Sequence, residues 1–176
     1  MNRFFAAALG VVLLIFSPGL AEAAEKIYLV RHAEKELNDS RDPALTDTGH
    51  ARAAHIARLL GPMGITAVFS SDFIRTRDTA QPLAGALNLD IQIYDPREQE
   101  AFAEMLRETD GVILVVGHSN TVPALVNILA GTDYENLVEA TEYGALFVVN
   151  MGDSVDTTSA SKVSMGDVGV SAPNPE

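Results

Sequence analysis

Val112-Ile113-Leu114-Val115-Val116-Gly117-His118 opens with five apolar residues in a row and no polar alternation. A strand of that kind buries both faces, as a central strand of a parallel sheet does. Strand and helix patterns alternate around it. Ile27-Tyr28-Leu29-Val30 (within 26–31), Ala67-Val68-Phe69 and Ile91–Tyr94 read as strands. Ala53, Ile56, Ala57 and Leu60 recur at helical spacing after a cap at Thr46 or Thr48, and Gly61-Pro62 and Gly64 stop that helix. A second helix over 73–87 buries Ala80, Leu83, Ala84 and Leu87, and a third places Phe102, Met105, Leu106 and Thr109 on one face. A fourth, opened by Asn120 or Thr121 with Pro123 in its first turn, turns Val122, Leu125, Val126 and Leu129 inward. Ala145–Asn150 is a further strand, with 161–165 as its edge partner. This order predicts a three-layer α/β/α sandwich with a mostly parallel central sheet and C-terminal antiparallel edge strands.

Three of the strands release cationic or imidazole side chains just past their C-terminal ends. The first ends in Arg31-His32, the central one in Gly117-His118, and the Ala67-Val68-Phe69 strand runs through Ser70-Ser71 to Arg75. In open α/β sheets that edge is where ligands bind, because helix N-termini face it. Two arginines and two histidines gathered there form a pocket for a phosphate group.

The chain of 176 residues is long enough for one domain, expected over 24–168. Arg3, an apolar run over 4–16, the Pro18-Gly19 break and the small residues Ala21 and Ala23 read as a signal peptide over 1–23, cut before Ala24. The run is shorter than the roughly 20 residues of a spanning helix, so no stable membrane anchor is expected. The chain has no cysteine, hence no disulfides, and a bacterial periplasm or secretion fits better than a eukaryotic route. Residues 169–176 read as a disordered tail. The net charge of −12 argues against nucleic acid, whose phosphates need a basic surface. A small anion is still admissible, because screening confines exposed charges to about 8–10 Å while a local cluster acts at contact. No protein partner is inferable.

Four ordered blocks resemble the histidine phosphatase superfamily, also called the phosphoglycerate-mutase-like fold, in a small exported bacterial form. Leu29-Val30-Arg31-His32-Ala33-Glu34 is similar to its opening motif, with Ala33 in place of the usual glycine. Leu45-Thr46 with Gly49 and Arg52 resembles its Leu-Thr-x-x-Gly-x-x-Arg helix start. The block from Ser70-Ser71 through Arg75 to Thr79-Ala80 resembles its phosphate-arginine segment, and Gly117-His118-Ser119-Asn120 its second histidine motif. The resemblance implies that His32 is the nucleophile, forming a phosphohistidine that water hydrolyses, with Arg31, Arg75 and His118 holding the phosphate. It implies no metal and no cofactor. The residue types agree, since a neutral imidazole has a free lone pair and guanidinium forks match phosphate oxygens.

Ser119 stands where one branch of the family has an acidic proton donor, so that acid is missing. Glu98 and Glu100 lie near the position of the donor in the mutase-like branch. Asn38, Ser119 and Asn120 are candidate substrate contacts, while Arg77, His50 and His55 read as surface groups. The expected function is metal-independent hydrolysis of a small phosphorylated molecule, favouring good leaving groups. A phosphoglycerate-mutase-like phosphotransferase and a non-catalytic phospho-ligand binding module are the alternatives.

Overall fold

A computed structural model describes residues 24–38 and 40–166. The signal sequence expected over 1–23 and the tail expected over 169–176 lie outside the described residues. Strand β1 (Ala24–Arg31) leads to helix α1 (Asp47–Leu60), β2 (Ile65–Ser71), α2 (Ile74–Leu87), β3 (Ile91–Tyr94), α3 (Gln99–Arg107), β4 (Gly111–Gly117), α4 (Thr121–Ala130), β5 (Ala145–Asn150) and β6 (Ser159–Ser164). The single sheet has the order β3-β2-β4-β1-β5-β6. The first four strands run parallel, while β5 is antiparallel to β1 and β6 antiparallel to β5. The expected sandwich is thus the observed one.

β4 sits between β1 and β2, and its alternate residues feed two cores. Ile113 and Val115 pack with Phe102 and Leu106 of α3 and Leu125 and Leu129 of α4. Leu114 and Val116 pack with Ile56 and Leu60 of α1 and Leu83 and Ala84 of α2. The chain moves from β1 across to β2 and β3 with its helices on one face, then returns to β4 and β5 with its helices on the other. Right-handed crossovers demand that change of face when the direction reverses. β1 and β4 are therefore adjacent strands whose connections leave in opposite directions. A crevice opens above such a pair, at their C-terminal ends.

Helix α1 begins at Thr46, whose side chain accepts a hydrogen bond from the Gly49 amide at 3.1 Å, so Thr46 rather than Thr48 is the cap. Asn120 occupies the N-cap position of α4 without a side-chain capping bond. The inward face of α3 is Phe102, Ala103 and Leu106; Met105 is exposed and Thr109 lies past the helix end. The expected face was rotated by about one residue, because Phe102 stacks on Tyr94 with ring centroids 4.0 Å apart and turns the helix toward β3. Ala57 and Leu87 are only partly buried, at the margin of their core.

The first turn of α1 presses against the segment that follows β1. A Cβ at Gly49 would stand 2.1 Å from the Glu34 carbonyl oxygen, a backbone atom that cannot swing aside. Gly61 has open space around its Cβ position and a helical φ of −51°. Gly49→Ala is expected to lower the unfolding free energy by about 1–3 kcal/mol through overpacking. Gly61→Ala should be neutral or stabilising by up to about 1 kcal/mol. Urea unfolding of the two variants beside the unaltered chain checks both.

Candidate active site

The register of two strands brings the histidines together. Arg31 is paired with Gly117, and the His32 amide donates to the Gly117 carbonyl at 2.9 Å. His32 and His118, the next residue on each strand, thus leave the sheet side by side, with ring centroids 5.6 Å apart. Arg75, the second residue of α2, joins them from the end of β2. His32, Arg75, His118, Ser119, Asn120 and Glu139 are among the residues that line one pocket of about 370 Å³.

His32 is held for a single role. Its Nδ1 lies 2.7 Å from the Ala33 carbonyl oxygen, which can only accept, so Nδ1 carries the proton and Nε2 keeps its lone pair. The Ala33 amide donates to Thr79 Oγ1 at 2.9 Å, and that hydroxyl donates to the Arg75 carbonyl at 2.7 Å. Ala33 is buried and lacks a positive φ, so the expected glycine is dispensable there. Glu34 extends the support: its carboxylate accepts from Arg52 Nε at 2.9 Å and Nη2 at 2.6 Å, which ties the loop after β1 to α1.

A chain of hydroxyls fixes His118. Thr76 Oγ1 donates to the Ser71 carbonyl at 2.7 Å and accepts from Ser71 Oγ at 3.1 Å. Ser71 Oγ, 2.9 Å from His118 Nε2, is then left to accept from that nitrogen. Both imidazoles are neutral near pH 7. Burial, with the nearby Arg31 and Arg75 cations adding to it, holds His32 down at about 3. Burial and the same two cations bring His118 to about 4.

The arginines are poorly paired for their burial. Arg31 is fully buried; its Nη1 reaches the Val138 carbonyl at 3.5 Å, its Nη2 is 3.9 Å from Glu139, and its guanidinium lies 4.1 Å from the centre of the Tyr143 ring. Arg75 donates from Nη1 to Asp42 at 3.2 Å and sits 4.4 Å over the Phe73 ring. Arg31 Nε, Arg31 Nη2 and Arg75 Nε have no hydrogen-bond partner among the described residues. Buried donors without acceptors are costly, and an anion between the two guanidinium groups would satisfy them.

The other sequence candidates divide. Ser119 and Asn120 line the pocket at the start of α4. Asn38 does not; it is exposed, and its Oδ1 accepts from the Ser40 amide at 3.0 Å within its own turn. Glu98 precedes α3 and Glu100 lies in its first turn, both exposed and neither lining the pocket. Arg77 is a surface group paired with Asp72. His50 is exposed, and His55 Nε2 lies 3.0 Å from the Met165 carbonyl. Asp42, Ser71, Glu139 and Tyr143 escaped sequence reasoning. Ser71 sits within a quoted motif and was legible as a strand end beside His118; the other three come from irregular loops with no periodic signal.

Residues 27–100 match the sequence model of the histidine phosphatase superfamily (branch 1). A probable phosphoglycerate mutase GpmB of Serratia proteamaculans is 40% identical over 89 residues, covering 47% of this chain and 41% of that protein. The corresponding protein of Cronobacter sakazakii is 36% identical over 103 residues, covering 55% and 44%. The matches thus span less than half of these relatives. The protein histidine phosphatase SixA, solved with tungstate, superposes with a TM-score of 0.65 at 21% identity, covering 80% of this chain and 97% of that one. A mycobacterial glucosyl-3-phosphoglycerate phosphatase superposes at 0.61 with 14% identity, covering 80% and 97%. These two likenesses establish the shared fold.

With depressed values, His32 and His118 stay neutral as pH falls from 8 to about 5, where an imidazole of pKa 6.5 would be about 97% protonated. An NMR titration of their ring carbons in the ligand-free protein should be flat over that range. A midpoint between 6 and 7 for His32 would count against the site as described. The unfolded chain takes up these protons near 6.5, so the stability they contribute is full above that pH and is lost as pH falls toward 4. His32→Asn should soften the decline in denaturant midpoint over that interval.

Proposed function

We propose that this chain is a phosphatase of the histidine phosphatase superfamily that hydrolyses a small phosphorylated molecule through a phosphohistidine on His32, a reading supported by the match of residues 27–100 and by the shared fold. The observation that carries this reading is the set of unpartnered guanidinium nitrogens on Arg31 and Arg75 beside an imidazole whose Nε2 is unprotonated.

In the proposed reaction, the Nε2 lone pair forms a bond to phosphorus as the bond to the leaving group breaks. The leaving group departs with that electron pair and takes up a proton. Water then attacks phosphorus, the P–Nε2 bond breaks, its electron pair returns to the ring, and inorganic phosphate leaves as the water gives up a proton. Charge accumulates on the phosphoryl oxygens in both steps, where the guanidinium donors stabilise it. A dianion in the clamp opposes the effect of Arg31 and Arg75 on His118 and favours its second proton, which adds a donor. Glu98 and Glu100 stand outside the pocket, so no strong acid among the sequence candidates reaches the leaving group. Phosphoramidates, acyl phosphates and aryl phosphates are the substrates this favours. The sequence pattern of residues 1–23 and the lack of cysteine support a bacterial periplasmic or secreted setting.

The mutase reading draws on the GpmB relatives. Glu139 in the pocket speaks against it, because a carboxylate there repels the carboxylate of a phosphoglycerate.

Brief incubation with radiolabelled phosphoramidate should leave an acid-labile, base-stable label on the protein that is absent in His32→Ala. Arg31→Ala and Arg75→Ala should each lower kcat/KM by about 100–1,000-fold. Transfer of the label to a phosphoglycerate rather than to water would favour the mutase. Phosphate binding with neither label nor turnover would favour a binding module.

A further inference from the structure

A second cavity, of about 510 Å³, opens at the same sheet edge beyond the ends of β2 and β3. Its walls are Phe73, Ile93, Tyr94 and Pro96, with Asp72, Asp95 and Arg97 at the rim. Phe73, Pro96 and Arg97 also line the phosphate pocket, so the two spaces share a wall. Phe73 is that wall's ring: the Arg75 guanidinium lies 4.4 Å from its centre, and the His118 ring meets it edge-on at 5.0 Å. A phosphate held by Arg75 and His118 therefore has its substituent beside the mouth of an apolar groove.

We propose that this groove is the leaving-group subsite and takes an uncharged aromatic ring attached to the phosphate, an inference that rests on the phosphatase reading above. Ile93 is 52% exposed on edge strand β3, and with Phe73 and Pro96 it forms a continuous apolar wall that a flat ring would cover. The charges at the rim are already paired. Arg97 Nε donates to Asp95 at 2.9 Å, and Asp72 is paired with Arg77, so no free cation waits for a second anionic group. On the opposite side, Glu139 lines the phosphate pocket and repels anionic substituents. Aryl oxygens are also good leaving groups, which suits a site from which Glu98 and Glu100 are absent.

Three substrates separate this idea from the phosphatase reading itself: phosphoramidate, which has no ring, 1-naphthyl phosphate, and phenyl phosphate with a para-carboxylate. The unaltered protein should turn over 1-naphthyl phosphate with a kcat/KM at least about tenfold above that of the carboxylated ester, the difference one apolar contact and one repulsion supply. Ile93→Asn, at an exposed position that does not line the phosphate pocket, should bring that ratio toward one and leave phosphoramidate turnover unchanged. A ratio near one in the unaltered protein, or an unchanged ratio in Ile93→Asn, would overturn the subsite. Should Ile93→Asn fail to fold, Ile93→Thr, which suits a strand better, gives the same reading. Loss of phosphoramidate turnover in the unaltered protein would instead defeat the phosphatase reading.

Discussion

The parallel pairing of β1 with β4, with Arg31 opposite Gly117, is the constraint on which the site depends. A shift by one residue would exchange the two faces of each strand and separate the histidines. Both strands are apolar on both faces, so pattern alone would tolerate such a slip. What pins the register is the ends. The His32 amide binds the Gly117 carbonyl, and a Cβ at Gly117 would come within 2.7 Å of the Tyr94 hydroxyl and 3.0 Å of Val122. Only a residue without a side chain lets α4 start so close to the strand, and His118 leaves the sheet beside that start.

The pocket works against the charge of the molecule that holds it. A chain of net charge −12 repels anions at long range, yet Arg75, Arg97 and two neutral imidazoles face the cleft, with Glu139 as the one carboxylate among its lining residues. Burial resolves this. It keeps Arg31 away from bulk water and counter-ions, which makes each unpaired N–H donor worth more to an arriving phosphate. The same burial keeps His32 neutral beside two guanidinium groups, as the proposed nucleophilic role requires. Desolvation of one group and repulsion by its neighbours act in the same direction here.

The alternating apolar runs made the sandwich and its sheet edge legible, because a buried strand and an amphipathic helix each leave a periodic trace. Arg31, His32, Arg75 and His118 could be placed at that edge for the same reason: Arg31 ends β1 and His32 follows it, His118 follows β4, and Arg75 stands in the first turn of α2. Glu98 and Glu100 were misplaced through a related weakness. Their distance from β3 in the chain was readable, but the start of α3 is set by the stacking of Phe102 on Tyr94, which no local pattern records. Asn38 is exposed and accepts from the Ser40 amide within its own turn. Glu139, Tyr143 and Asp42 come from loops, where position depends on contacts across the fold.

The segment between α4 and β5 shows how such a loop can matter without any motif. Leu137 is buried, and its amide donates to the Ser119 carbonyl at 2.8 Å, which fastens the loop to the residue after His118. The next residues then meet Arg31: the Val138 carbonyl at 3.5 Å, Glu139 at 3.9 Å and the face of Tyr143. Each contact is weaker than a short bidentate pair, and the Arg52–Glu34 bridge shows what this fold builds when it closes a guanidinium completely. A bond of that kind to Arg31 would occupy the donors a phosphate needs. The loop instead supplies a π face and a distant carboxylate, which hold the buried cation in place and leave two of its nitrogens open. Partial satisfaction of Arg31 is therefore the property on which the proposed anion binding rests, and the α4–β5 loop is what sets it.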